Sequence, residues 1–154
     1  MRIILEKDTN IYLTDEISVV KDDDIADLYT SVGFGRPSDY KSCPDFPGYG
    51  ARLFPKGVYG FFVIANTVLV GLVRVFSDDY TCTWITEICV RPEWQKKGIG
   101  RALLTAVNER FAHTAVYLSS FPDQVDFFNK NNIYPKQHRL VACSRAPIAS
   151  NKDT

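Results

Sequence analysis

Cys89-Val90-Arg91-Pro92-Glu93-Trp94-Gln95-Lys96-Lys97-Gly98-Ile99-Gly100-Arg101 joins two unlike patterns. Before it, residues 80–90 form an apolar run of β type. After it, Ile99, Ala102, Leu103, Ala106 and Val107 recur at i, i+3, i+4, i+7 and i+8, one apolar stripe of a helix. The loop between them carries a proline and two glycines, so backbone can approach a ligand closely. The helix start beyond it offers N–H groups without intrahelical partners and a positive dipole end, and Lys96, Lys97 and Arg101 add charge. These features together predict an anion cradle, with phosphate as the anion. A flexible loop before a helix is the plainer alternative. A dinucleotide fingerprint would need a third glycine where Leu103 stands, and the Gly-Lys-Ser/Thr of a P-loop is absent.

The rest of the chain frames this junction. At 154 residues it has the length of one domain, 1–154, and can bury a substantial core. Lys+Arg and Asp+Glu balance at 18 each, so no global field favours nucleic acid or a membrane surface as partner. No apolar run has the length of a membrane span. The first residues turn charged at once and lack a secretory core, which gives the expectation of a cytoplasmic protein. The cysteines, Cys43, Cys82, Cys89 and Cys143, show no zinc-type spacing, so no metal is expected and buried free thiols are the default. Cys82 and Cys89, seven apart in one strand, are expected on opposite faces.

Residues 10–20 read as a first strand. A helix is expected from Asp22 to about Ser31, its three leading carboxylates complementing the dipole. Five glycines and four prolines fall within 33–57 among Phe34, Tyr40, Phe46, Tyr49 and Phe54. That composition opposes a long helix and suits either a substrate-facing wall or a loop pinned to the core. Residues 58–65 and 68–76 form a hairpin about Asn66-Thr67, followed by strand 80–90, helix 98–111, strand 115–119 and a short helix from Pro122 to about Lys130. A last strand is expected over 140–144, and the tail 146–154 is expected to fray. The outcome is a mixed α/β (α+β) sheet with helices on both faces.

Val90-x-Pro92-x-x-Gln95-x-x-Gly98-x-Gly100 resembles the acetyl-CoA signature of the GNAT acetyltransferase superfamily. Leu28-Tyr29-Thr30-Ser31-Val32-Gly33-Phe34 is similar to a segment near the start of one bacterial branch of that family. Phe127-Phe128-Asn129-Lys130-Asn131-Asn132-Ile133 sits where the family has Phe-Tyr-x-Lys-x-Gly-Phe. The resemblance spans roughly 10–145. It implies a GNAT-like, mostly antiparallel sheet of six to seven strands with a splayed central pair, 80–90 and 115–119. It further implies that the acyl donor acetyl-CoA lies in that gap. Backbone of Ile88, Cys89 and Val90 would pair with the pantetheine arm. The N–H groups of Gln95, Lys96, Lys97, Gly98, Ile99, Gly100 and Arg101 would hold the pyrophosphate. Members of the family are often homodimers.

The implied reaction is N-acetylation of a primary amine, on a small molecule or a protein, by direct transfer in a ternary complex. An amine is mostly protonated at neutral pH, so a base must take its proton. Glu87 is the only carboxylate in Trp84-Ile85-Thr86-Glu87-Ile88-Cys89-Val90, and an apolar setting is expected to favour its neutral form. The competing role for Glu87 is an ion pair with Arg74 on the neighbouring strand. Cys89 adjoins the acyl site, yet His113 and His138 are both remote from it in sequence, which disfavours a covalent route. The family's proton-donating tyrosine is replaced by Phe128, which can pack on the pantetheine but cannot donate. Tyr134 is the first candidate in its place, ahead of Tyr117, Ser119 or solvent. A non-catalytic acyl-CoA-binding or regulatory domain is the second reading, and an incidental Gly-x-Gly scaffold the third.

Overall fold

The computed structural model describes residues 2–6, 10–43 and 46–136. Among these residues six strands form one sheet in chain order: β1 (Arg2–Glu6), β2 (Ile11–Thr14), β3 (Val58–Ala65), β4 (Val68–Ser77), β5 (Cys82–Val90) and β6 (Ala115–Leu118). The first five pair antiparallel, and β6 pairs parallel to β5. The crossover between β5 and β6 is helix α4 (Ile99–Arg110). Helix α1 (Asp22–Ser31) covers the opposite face. The expected strand 140–144 and tail 146–154 lie outside the described residues.

The hairpin about Asn66-Thr67 turns through positive φ at both residues, 48° and 71°, which matches the twist of the strands it joins. Helix α1 keeps the expected limits. Its first carboxylates do more than complement the dipole. Asp24 caps the Lys21 N–H at 2.9 Å, and Asp22 accepts from the Gly48 and Gly50 N–H groups at 2.7 and 2.5 Å. Segment 33–57 therefore hangs from the start of α1. Its described residues hold two single-turn helices, α2 (Pro37–Lys41) and α3 (Tyr49–Leu53).

Three readings need correction. The strand expected within 10–20 is present at Ile11–Thr14 but is shorter and is the second, since Arg2–Glu6 precedes it and pairs along it, while Ile17–Val19 forms a 3-10 turn. An unalternating apolar triplet, Ile3-Ile4-Leu5, gives no period from which to recognise a strand. Strand β5 begins at Cys82 because the Asp78 carboxylate accepts from the N–H groups of Tyr80, Thr81 and Cys82 and holds the chain in a turn. Cys82 and Cys89 share a face rather than opposing each other. The pairing of β4 with β5 skips one residue between Arg74↔Glu87 and Val75↔Ile85, so Thr86 is a bulge and its hydroxyl donates to the Arg74 carbonyl at 3.0 Å.

That bulge shifts the alternation of β5 by one. Ile85, Ile88 and Val90 face α4 with Val73 and Val75, whereas Glu87 and Cys89 face α1 with Leu72. Two cores result, one under α4 and one under α1. Short helix α5 (Val125–Asn129) joins the α4 side through buried Phe128.

Candidate functional site

The parallel pairing of β5 with β6 runs from Cys82↔Ala115 to Ile85↔Leu118 and then stops, although β5 continues to Val90. Residues 86–90 thus run on past the end of β6, and the two strands part. This is the splay the resemblance implies. In the described residues β6 forms the edge of the sheet.

At the far end of β5 the chain is pinned before it turns. The Arg91 N–H donates to the Val70 carbonyl at 2.9 Å and its Nε to the Leu69 carbonyl at 2.8 Å. A 3-10 turn, Pro92–Trp94, follows. Gln95 then closes on itself: its N–H goes to the Pro92 carbonyl at 3.2 Å, and its side-chain Nε2 donates to the Val90 carbonyl at 3.1 Å. Gln95 therefore shapes the loop, and its own N–H is not free for an anion. Lys96 takes φ 60° and Gly98, the N-cap of α4, φ 82°. Such reversals turn successive N–H groups toward a common point. Among the described residues, no backbone carbonyl accepts from Lys96, Lys97 or Gly98, and Ile99, Gly100 and Arg101 are the first turn of the helix.

The two glycines of the loop have different reasons. A side chain at 98 would meet nothing within 4 Å, so only its φ requires glycine. A Cβ at 100 would lie 3.0 Å from the Phe127 ring, so Gly100 lets α5 pack closely against α4. Phe127 in turn packs edge-on to buried Phe128, 5.1 Å between centroids. Lys97 lies over the Trp94 ring at 4.6 Å, which holds its charge beside the cradle. A cleft of about 690 Å³ opens on the same helix start from the β1–β2 side, lined by Leu5, Ile11, Trp94, Lys97 and Ile99.

Glu87 points to the other face. Arg74, its register partner on β4, grips it from two nitrogens, Nε to Oε1 at 2.6 Å and Nη2 to Oε2 at 3.2 Å. The Tyr29 hydroxyl on α1 also donates to Oε1, at 2.6 Å. The setting of Glu87 is thus charged and hydrogen-bonded rather than apolar. Tyr29 is not among the site residues expected from the sequence; the signal that marked it was the Leu28-Tyr29-Thr30-Ser31-Val32-Gly33 segment. Burial first, and then the Glu87 charge, push the Tyr29 hydroxyl well above the ordinary phenol range. The same two causes, in the same order, push the buried Cys89 thiol up to about 12. A thiol held protonated is a poor nucleophile, which argues against a covalent route through Cys89.

Tyr29 also anchors the aromatic wall of segment 33–57. Its ring contacts Phe34 and Tyr40 at 6.1 and 6.2 Å between centroids, and Tyr40 meets Tyr49 at 5.8 Å. Tyr40, Tyr49 and Phe54 pack on the α1-side core, so these aromatics do pin the segment. Tyr134 is two-thirds exposed, its hydroxyl 3.2 Å from Asn132 Oδ1. Among the described residues no helix is long and apolar enough to cross a membrane, and no group of three His, Cys, Asp or Glu side chains is placed to hold a metal.

A family model described as an acetyltransferase (GNAT) domain matches residues 58–136. Among curated proteins no significant match is found. Solved structures are similar at the level of the fold. A GNAT family acetyltransferase from Streptococcus pneumoniae has a TM-score of 0.65 at 18% identity, covering 88% of this chain and 99% of that one. An aminoglycoside acetyltransferase from an uncultured soil metagenomic sample, in complex with trehalose, has a TM-score of 0.68 at 20% identity, covering 90% and 95%. An aminoglycoside N-acetyltransferase in complex with CoA has a TM-score of 0.68 at 11% identity, covering 94% and 100%.

Proposed function

Because the chain belongs to the GNAT acetyltransferases, we propose that it transfers an acetyl group from acetyl-CoA to a primary amine, directly and within a ternary complex. The observation that carries this reading is the row of N–H groups on Lys96, Lys97, Gly98, Ile99, Gly100 and Arg101 that no backbone carbonyl among the described residues claims, at the end of a strand that has parted from its neighbour. A pyrophosphate fits that donor set, and an extended amide-bearing arm would run along Ile88, Cys89 and Val90, where the backbone of Ile88 and the Val90 N–H face away from β4 and the Val90 carbonyl already accepts from Gln95. Gln95 and Phe128 support the site by shaping the loop and backing α5.

Acetyl-CoA supplies the acyl carbon: the amine lone pair attacks it, an N–C bond forms and the C–S bond breaks. The substrate ammonium sheds two protons in all. One goes by way of Glu87 to solvent, and the other leaves with the sulfur as CoA thiol. Glu87 Oε1 already accepts from Arg74 and Tyr29, whereas Oε2 accepts a single bond at 3.2 Å and keeps capacity for the substrate proton. Tyr134, exposed and carrying a hydroxyl, is the side chain proposed to protonate the sulfur, with solvent as the alternative. Phe128, buried and without a donor, favours one rival, an acyl-CoA-binding domain without turnover.

Titration calorimetry with acetyl-CoA tests the cradle, and release of free CoA over an amine panel tests turnover. Micromolar binding that Gly98→Glu abolishes is expected, together with amine-dependent CoA release. Binding without release over the whole panel points to the non-catalytic reading, and no binding overturns both.

A further inference from the structure

The face of the sheet that carries Glu87 also carries an open aromatic row. Phe76 on β4 is the register partner of Trp84 on β5, and Trp84 of Tyr117 on β6, so the three stand abreast across three strands. Trp84 and Tyr117 stack at 6.1 Å between centroids with 16° between their planes. Phe76 and Trp84 are nonetheless 46% and 45% exposed. Contiguous aromatic surface left in water marks a place where something apolar binds.

The row is continuous with the carboxylate. The Arg74 guanidinium lies 5.5 Å from the Phe76 ring centre, and the same guanidinium holds Glu87. One residue beyond Trp84 and Tyr117, at Ile85 and Leu118, the pairing of β5 with β6 ends. The aromatic row therefore borders the point where the strands part.

Charge decides what this surface accepts. Aromatic faces attract cations, but here cations already sit over two of the rings: Arg74 over Phe76 and Lys136 over Tyr117, the latter at 4.9 Å. The Glu87 charge is matched by Arg74. A second or third ammonium on an acceptor would meet cations along this row. A flat, uncharged body would meet the exposed part of Trp84.

Resting on the acetyltransferase reading, we propose that the acceptor is a primary monoamine on a flat apolar body, which lies on Trp84 and Phe76 and presents its amine to Glu87. Polycationic acceptors such as polyamines or aminoglycosides do not fit this face.

The test compares 2-phenylethylamine and tryptamine with spermidine and sisomicin as acceptors, by CoA release. The aryl amines are expected to show kcat/KM at least about tenfold higher, in line with the loss of one good aromatic contact. Trp84→Ala is expected to raise their KM about tenfold with kcat within about threefold, and Trp84→Phe to restore most of the affinity. Phe76→Ala gives a second, independent probe of the same row. Equal or better use of the polycations, or an unchanged KM in both alanine variants, overturns the proposal. If no amine is acetylated, calorimetry of 2-phenylethylamine on the CoA-saturated protein separates the two failures. Binding weakened by Trp84→Ala upholds the row while the acetyltransferase reading falls, and no binding overturns the row itself.

Discussion

The two halves of the proposed site are made of different material. The cradle at the start of α4 is backbone: its donors are main-chain N–H groups, aimed by a positive φ at Lys96 and Gly98 and fixed by the ties of Arg91 and Gln95 to β4 and β5. All of it comes from one short stretch of chain. The face around Glu87 is side chain: Tyr29 from α1, Arg74 from β4 and Glu87 from β5, which meet across 13 and 58 residues of sequence. A backbone cradle tolerates side-chain change provided φ is kept. A side-chain cluster fails when any one member is removed, because the others lose their partner in a half-buried setting. The first half suits a ligand shared by a family, the second an acceptor that differs among its members.

The largest expected effect tests whether the halves separate. Glu87→Gln should lower kcat/KM for an accepted amine by about a hundredfold and remove the fall in rate on the acid side that protonation of a general base produces. Acetyl-CoA affinity, measured by calorimetry, should stay within about twofold, because the cradle holds no atom of Glu87. A loss of only a few-fold with an unchanged pH profile would remove Glu87 from the role of base. An equal loss of acetyl-CoA affinity would show that the two halves are one.

That division also explains what could be read in the sequence. The cradle, the α4 stripe, the hairpin at Asn66-Thr67 and the limits of α1 are local patterns, so spacing alone reveals them. The bulge at Thr86 is not local. Trp84-Ile85-Thr86-Glu87-Ile88-Cys89-Val90 reads as an ordinary strand, and only the pairing with Arg74 and Val75 shows that the alternation shifts. Without that shift, Glu87 would face α4 with Ile85 and could not meet Tyr29. The partnership with Arg74 was one of two open readings, because neighbouring strands are legible while a one-residue slip in their register is not. β1 was missed for a related reason: Ile3-Ile4-Leu5 has no period, and its place depends on β2.

Next in size is the cost of breaking the side-chain half. Arg74 and Glu87 are 20% and 13% exposed, so Arg74→Met strands a charge that water reaches only in part. Urea unfolding should show a loss of about 2 kcal/mol, below the value for a fully buried pair. The double variant Arg74→Met with Glu87→Gln should recover part of it. Strict additivity of the two single changes would mean that the ion pair does not organise this face.

The cradle should respond to φ and little else. Gly98→Val, forced toward the left-handed region, should weaken acetyl-CoA binding about tenfold, while Gly98→Asn, which tolerates that region, should stay within about threefold. Space cannot explain such a difference, since nothing lies within 4 Å of a side chain there. Equal losses in both variants would show that the side chain, and not the backbone angle, is what the ligand meets.

The smallest effect lies in alkali and reads the side-chain half through its protons. Tyr29 and Cys89 are both raised above their ordinary values of 10.0 and 9.0, by burial and then by the Glu87 charge. Above pH 9 the unfolded chain gives up protons that the folded chain keeps, so the folded state binds more and stability falls as pH rises. The contribution is complete below pH 9 and is lost progressively toward the Cys89 value of about 12, with Tyr29 continuing beyond it. Urea midpoints should therefore hold steady from neutral pH to 9 and decline above it. Cys89→Ala should remove the part of that decline that begins at pH 9, and Tyr29→Phe, which has no proton to lose, the part that begins at about 10 and continues furthest. The backbone cradle has no titrating group in its donor set, so acetyl-CoA affinity should not follow the same curve where the protein remains folded. A decline in stability that Tyr29→Phe leaves untouched would place its source elsewhere and break the link between Glu87 and α1.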